Sequence, residues 1–440
     1  MKITVKNIKK TLKETIKSID NSKKSFCNNP NADFTRRRKI SFTDIIKFQL
    51  TKSGQSLNCE LMNYFDFKNN LPSTSAFVQQ RDKISHIAFE TLFHQFTDSC
   101  YEEKLFKGYC LLAIDGSDLR VPVNPNEKDS YIDYVGDSKT YNLLHLNALY
   151  DLQRKIYVDA IVQPRKGWHE HKAFTEMVDR DNSNIPTIYI ADRGYESYNN
   201  MAHIQEKGQY FLIRIKDITA CSNMLSGISL PDDDEFDIDI TVKLTRKQTN
   251  AAKNDKTLKF VPHSSTFDFL PKTSSKWVEV KPYMLNLRFV RFKIGENSYE
   301  LVVTNLDKSE FTPNDLKQLY SMRWGIETSF RHLKYTIGLM YFHSKKTEYI
   351  LGEIFAKLTM YNFVELIVSH TKVPNKQRKL TYSLNFSAAV HICYNFFLKN
   401  VSPSAVEALI TQYLAPLKPG VSNPRHLMPK STVSFLYRVS

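Results

Sequence analysis

No stretch of the 440 residues approaches the roughly 20 uninterrupted apolar residues that a membrane-crossing helix needs. The start, Met1-Lys2-Ile3-Thr4-Val5-Lys6, lacks the apolar core of a secretory signal. The expectation is a soluble, cytoplasmic protein with no membrane partner. The six cysteines, at 27, 59, 100, 110, 221 and 393, form no CxxC pair and no zinc-like spacing, so they read as free thiols in a reducing compartment. His169 and His171 make an HxH pair, but no cysteine or third histidine at a suitable spacing accompanies them, which leaves them surface or helix-capping roles. Heptads are also missing, so nothing in the pattern announces a coiled-coil dimer.

Positive charge is abundant. The formal net charge is +15 and the pI near 9.3, a balance that favours a polyanionic partner, because each phosphate neutralised by Lys or Arg releases condensed counterions. Its distribution is uneven: residues 1–107 carry +8 and residues 331–440 carry +10, so the centre is slightly negative. Basic flanks around a carboxylate-bearing centre suit arms that grip a polyanion, although composition alone does not separate DNA from RNA or a membrane surface, and basic termini also act as plain solubility devices.

The carboxylates of that centre stand in telling places. Tyr109–Ile114 is a short apolar run ending in Asp115-Gly116-Ser117, and Ile185–Ala191 is another ending in Asp192-Arg193-Gly194-Tyr195. Each reads as a buried strand with an acid where it emerges. Further on, Tyr320, Arg323, Glu327 and Lys334 recur at helical spacing, and at about 100° per residue one helix would gather them within a stripe roughly 60° wide. Such a face is an ordinary ion-pair lattice if it stands alone. With two strand-borne aspartates upstream, it offers a third carboxylate flanked by groups that grip phosphate. Three acids of this kind suit Mg²⁺, which prefers oxygen ligands, and two ions about 3.5–4 Å apart clamp the attacking and leaving oxygens of a phosphodiester.

On these motifs the chain resembles the DDE-type insertion-sequence transposases of the insertion-sequence-4 type. Ile114-Asp115-Gly116-Ser117 is similar to that family's first aspartate motif, Ala191-Asp192-Arg193-Gly194-Tyr195 to its second, and Tyr320, Arg323, Glu327 and Lys334 to its tyrosine-arginine-glutamate-lysine signature. The resemblance spans about residues 35–400. It implies an α/β, ribonuclease-H-like mixed sheet flanked by helices. Asp115, Asp192 and Glu327 would bind two Mg²⁺ (or Mn²⁺) ions, and Tyr320, Arg323 and Lys334 would hold DNA phosphates. The implied activity is cleavage and strand transfer at the inverted repeats of an element, on double-stranded DNA, by a homodimer in the synaptic complex. A nuclease of the same fold, or a catalytically idle regulator descended from such an enzyme, are the alternatives.

Composition shifts divide the rest. Residues 1–107 read as a helical DNA-binding region, 108–216 as the first part of the catalytic domain, 217–285 as a β-rich insertion, 286–345 as its second part and 346–440 as a helical C-terminal region. The 134 residues between Asp192 and Glu327 exceed what the remaining core can use, which requires the insertion. Arg36, Arg37 and Arg38 precede a helix that Ser41 caps with Asp44 in the capping-box position, a place favourable to phosphate. A helical pair around 57–65 and from 75 onward fits a helix-turn-helix-like reader using Ser75, Gln79 and Gln80, or a plain bundle. By the resemblance, an aromatic of the insertion can stack on an unstacked base, and Trp277 and Tyr299 are the candidates, but packing on a sheet face is the expected role of each. Trp324 reads as a core anchor, and Asp118, three residues from Asp115, is not expected at the metal site.

Overall fold

The protein is described from a computed structural model, which covers residues 3–133, 140–218, 224–249, 254–255, 257–272, 281–372, 382–399 and 401–416. Trp277 and Cys221 lie outside the described residues.

Five helices open the chain. α1 (Val5–Asn21) buries Val5, Ile8, Leu12, Ile16 and Ile19, a three-and-four spacing that makes one apolar stripe. α2 (Phe42–Thr51) begins with the expected box: Ser41 accepts from the Asp44 N–H at 3.1 Å while Asp44 accepts from the Ser41 N–H at 2.9 Å. α3 (Leu57–Tyr64), α4 (Thr74–Arg81) and α5 (Ile87–Ser99) follow. The segment from 75 onward is broken after Arg81, so the expected single helix is two.

The sheet then builds in chain order. β1 (Cys110–Val121), β2 (Tyr131–Ile132), β3 (Tyr141–Asp151) and β4 (Ile156–Pro164) precede α6 (Glu170–Arg180), β5 (Thr187–Ala191), α7 (Tyr198–Glu206) and β6 (Tyr210–Ile215). β3 lies antiparallel between β1 and β4, whereas β5 runs parallel to both β1 and β6. The order β4-β3-β1-β5-β6, three antiparallel strands followed by two parallel ones with helical crossovers, is the ribonuclease-H-like arrangement.

β7 (Phe236–Thr245) and β8 (Leu258–Phe260) come from the stretch read as an insertion; β9 (Tyr283–Gly295) and β10 (Ser298–Thr304) form an antiparallel hairpin. β10 pairs with β6, β9 with β10 and β7 with β9, so the insertion prolongs the one ten-stranded sheet. α8 (Pro313–Met322), α9 (Trp324–Arg331) and α10 (Thr347–His370) follow, then β11 (Tyr382–Leu384), α11 (Phe386–Leu398), α12 (Pro403–Gln412) and β12 (Leu414–Pro416).

Period-two alternation sends the two faces of the sheet into different cores. Leu111, Ala113, Ile188 and Ile190 join the N- and C-terminal helices, while Cys110, Leu112, Ile114, Tyr189 and Ala191 join α6, α7 and the insertion. α10 forms the centre of the first core and is buried almost all round from Ile350 to Ile367. Its Asn362 accepts from the Tyr157 N–H at 2.9 Å and donates to the Tyr157 carbonyl at 2.7 Å and to Thr97 at 3.0 Å, which satisfies backbone groups of the outer strand β4 that lack a ladder partner on that side.

Two polar clusters lie beside α10. Lys52, on the α2–α3 turn, is paired with Glu353, His343 and, through its carbonyl, Lys357, all of them buried. Glu365 is buried beneath Lys155 and accepts from Tyr361 at 3.3 Å; burial pushes its carboxyl up to about 7, with Lys155 opposing. A carboxyl raised on folding binds its proton more tightly in the native state, so this stability is present below the unfolded value and is lost as the pH rises through about 7. Glu365→Gln is therefore expected to stabilise the protein by about 3 kcal/mol near pH 8 and to change little near pH 4.5, as read from urea melts at both; an equal effect at the two would contradict this.

Candidate active site

The β1–β5 ladder sets the site. Its last parallel pair is Ala113 with Ile190, so two residues further along each strand Asp115 and Asp192 stand side by side. Both share the parity of Ala113 and Ile190, so both face the α10 side of the sheet. β1 is the strand where an antiparallel neighbour, β3, meets a parallel one, β5, and the carboxyl ends of parallel strands at such a reversal are where α/β sheets open a crevice.

Asp192 behaves as expected and leaves β5 at its end. Its Oδ1 accepts from the Gly194 N–H at 2.8 Å, and a Cβ on Gly194 would come within 2.9 Å of that oxygen, so a larger residue there would push the carboxylate aside. Asp115 differs. β1 does not end there: it continues to Val121 because β3 goes on pairing with it as far as Asn142. The opening beside Asp115 arises from the end of β5, not of β1.

Glu327 comes from α9, which packs on β1. The signature residues do not share one helix, as the spacing suggested. Tyr320 is on α8, Arg323 is the joint at which α8 gives way to α9, and Lys334 lies in a single π turn, His332–Thr336. Arg323 nevertheless reaches both acids: its Nη2 donates to Glu327 Oε1 at 2.8 Å and its Nη1 lies 3.9 Å from Asp115 Oδ2. Burial pushes the Asp115 carboxyl up to about 6; the charges of Asp192 and Glu327 act in the same direction, and the Gly116 N–H and Arg323 oppose it. Tyr320 is buried with its ring 5.7 Å from the guanidinium. The Lys334 ammonium, lowered by burial, donates to the Asp118 carbonyl at 2.8 Å with its charge felt by Asp118 and Asp115.

Trp324 corrects its expected role. It is 54% exposed with its ring 5.2 Å from the Arg323 guanidinium, because α9 turns Ile326 and Phe330 inward instead. Tyr299 is covered by Arg291, whose guanidinium lies 4.3 Å from its ring. Gln80 is 6% exposed and cannot reach a base edge, whereas Ser75 and Gln79 are exposed. Arg36, Arg37 and Arg38 are exposed on the segment before α2, and no contact joins them to the acids. His169 is the N-cap of α6 and accepts from the Lys172 N–H at 3.2 Å.

Sequence reading missed a second cluster on the opposite face of β1. Asp118 turns away from Asp115 and binds His145 Nδ1 at 2.7 Å, while His145 Nε2 meets Glu170 at 2.9 Å and Trp168 packs edge-on at 4.1 Å. Burial opposes the His145 charge, but the two carboxylates outweigh it and raise its pKa. A signal was present: His145 and Asn147 interrupt the apolar run from Leu143 to Leu149.

Among the described residues, no group of three or more His, Cys, Asp and Glu side chains is arranged to hold a metal ion as it stands. The donor set is nonetheless hard, with three carboxylates. Beside it the Tyr195 hydroxyl and Arg323 Nε are buried with no hydrogen-bond partner among the described residues, groups that a polar ligand would satisfy.

A transposase DDE domain model matches residues 106–363, more than half the chain and the whole of the strand-and-helix frame that carries these acids. The chain belongs to the DDE transposase family. The match leaves out α1 to α5 and ends within α10. No curated protein matches the transposase. Among solved structures, a piggyBac transposase synaptic complex with hairpin DNA aligns at 11% identity and a TM-score of 0.45, over 97% of this chain and 88% of that one. The assignment of the fold rests on the strand order.

Gly116 lies at the contact between the two faces. A Cβ there would come within 2.4 Å of His145 Nε2 and 2.8 Å of Glu170 Oε1. Gly116→Ala is expected to cost about 1–3 kcal/mol by forcing that pair apart, measurable as a lowered melting temperature; an unchanged melt would mean that the cluster yields freely.

Proposed function

We propose that this transposase binds the ends of an insertion sequence of the insertion-sequence-4 type and carries out metal-dependent cleavage and strand transfer by a cut-and-paste route. The observation that carries the reading is the β1–β5 register, which sets Asp115 beside Asp192 under the helix that bears Glu327. Asp115, Asp192 and Glu327 are the proposed ligands of two Mg²⁺ or Mn²⁺ ions; DDE transposases as a family use divalent ions, and the hard oxygen donors here suit them. Bound ions supply charge stabilisation at the attacking and leaving oxygens.

The chain's own groups do the rest. Arg323 offers a planar fork to phosphate, Tyr320 braces that fork, and Lys334 is a point charge tied to the strand that carries Asp115. Trp324, exposed beside Arg323, is placed among the described residues to stack on a base unstacked near the cut. Arg36, Arg37 and Arg38, with Ser75 and Gln79, form the proposed grip on the inverted repeats. Two ends require two sites, hence a homodimer on DNA, acting in the cytoplasm at the nucleoid.

Incubation with divalent ions and DNA carrying the element's ends tests this reading: joined products support a transposase, and cleavage without joining supports a nuclease of the same frame. Glu327→Gln is expected to retain DNA binding and to lose cleavage, because it removes a ligand charge while preserving shape; full cleavage by the variant would sink the assignment. Lys334→Ala should weaken end binding and reduce the slope of log affinity against log salt by about 1; an unaltered salt dependence would remove Lys334 from the phosphate contacts.

A further inference from the structure

Arg323 occupies an unusual position for a phosphate-gripping residue. It is only 5% exposed, it turns towards the acids, and its guanidinium is shared between Glu327 at 2.8 Å and Asp115 at 3.9 Å. The sharing is incomplete: Nε is buried without a hydrogen-bond partner among the described residues. A guanidinium has five donors, and one held by two charge contacts with a buried donor left over is not in a fully satisfied resting place. It also sits on a joint. Arg323 links α8 to α9, its N–H bonded to the Tyr320 carbonyl at 3.1 Å in the tighter three-residue pattern, and the exposed Trp324 ring next to it marks the way to solvent.

We propose that Arg323 is an internal competitor for the divalent ions: it neutralises Asp115 and Glu327 in the DNA-free protein and leaves them when a DNA phosphate takes its guanidinium. The inference rests on the reading of Asp115, Asp192 and Glu327 as metal ligands. Its physical basis is that one cation and a divalent ion bound to the same carboxylate oxygens repel each other, so occupancy by one opposes the other. The phosphate is the natural exchange partner, because it accepts the same planar fork that the carboxylates now hold. Linkage then makes the coupling reciprocal: DNA strengthens metal binding, and metal strengthens DNA binding. An enzyme built this way holds its ions weakly until an end is in place.

The test is Mn²⁺ binding to the full chain without DNA, by calorimetry or electron paramagnetic resonance, in the wild type, Arg323→Ala and Arg323→Met. Met keeps the apolar stem and guards against loss of fold in Ala, with circular dichroism melts run alongside. Removing the competitor is expected to tighten Mn²⁺ binding by about tenfold or more, the scale on which a nearby opposite charge competes for a carboxylate. Adding duplex DNA should tighten Mn²⁺ binding in the wild type and do so far less in Arg323→Met. Equal or weaker Mn²⁺ binding by both variants would overturn the proposal and make Arg323 an orienting residue, with the acid site intact. Mn²⁺ binding that survives Asp115→Asn and Glu327→Gln in every background would instead overturn the ligand assignment itself.

Discussion

Four paired residues, Cys110–Ala113 against Thr187–Ile190, fix the geometry on which everything else depends. A parallel ladder has no freedom to slide when both faces are buried, since a slip of one residue would turn Leu111 and Ala113 into the α6–α7 core and Leu112 and Ile114 into the α10 core. The same constraint keeps Asp115 and Asp192 on one face and next to each other. α9 supplies the third acid because it packs against β1, and Ile326 and Phe330 hold it there. The pattern that builds the core is thus the pattern that builds the site.

The helices at both ends serve that geometry from below. α10 is clad by α1, α2, α5 and α11, and its Asn362, Glu353 and Lys357 tie it to β4 and to the α2–α3 turn through buried polar contacts. Breaking one partner of such a buried pair leaves an uncompensated charge, a penalty that favours one register of the helical layer over its neighbours. The segment after Lys334 is held in the same way: His343 meets the Gln55 carbonyl at 2.9 Å, and Tyr394 donates to the Ile337 carbonyl at 3.1 Å. The π turn that carries Lys334 is therefore pinned on its far side.

Much of this was legible in the residues. Apolar runs ending in Asp115 and Asp192 marked the two strands that carry the aspartates. What was not legible depends on contacts distant in sequence. Asp-Gly-Ser-Asp reads locally as a turn, yet β3 draws it into β1. Trp324 reads as core, but Ile326 and Phe330 claim the inward side of α9. The break at Arg323 lies within a continuous helical spacing, with no proline to mark it and Gly325 only two residues on. His145 and Glu170 are 25 residues apart and meet only because β3 and the start of α6 lie on one face.

The central claim, that Asp115, Asp192 and Glu327 form one metal site, is tested most directly by letting the metal report its own position. Loading the transposase with Fe²⁺ and triggering local oxidative cleavage of the polypeptide should produce cuts near residues 115, 192 and 327 together, all suppressed by excess Mg²⁺. Cuts confined to other segments, or cuts at these three that persist in Glu327→Gln, would contradict the account.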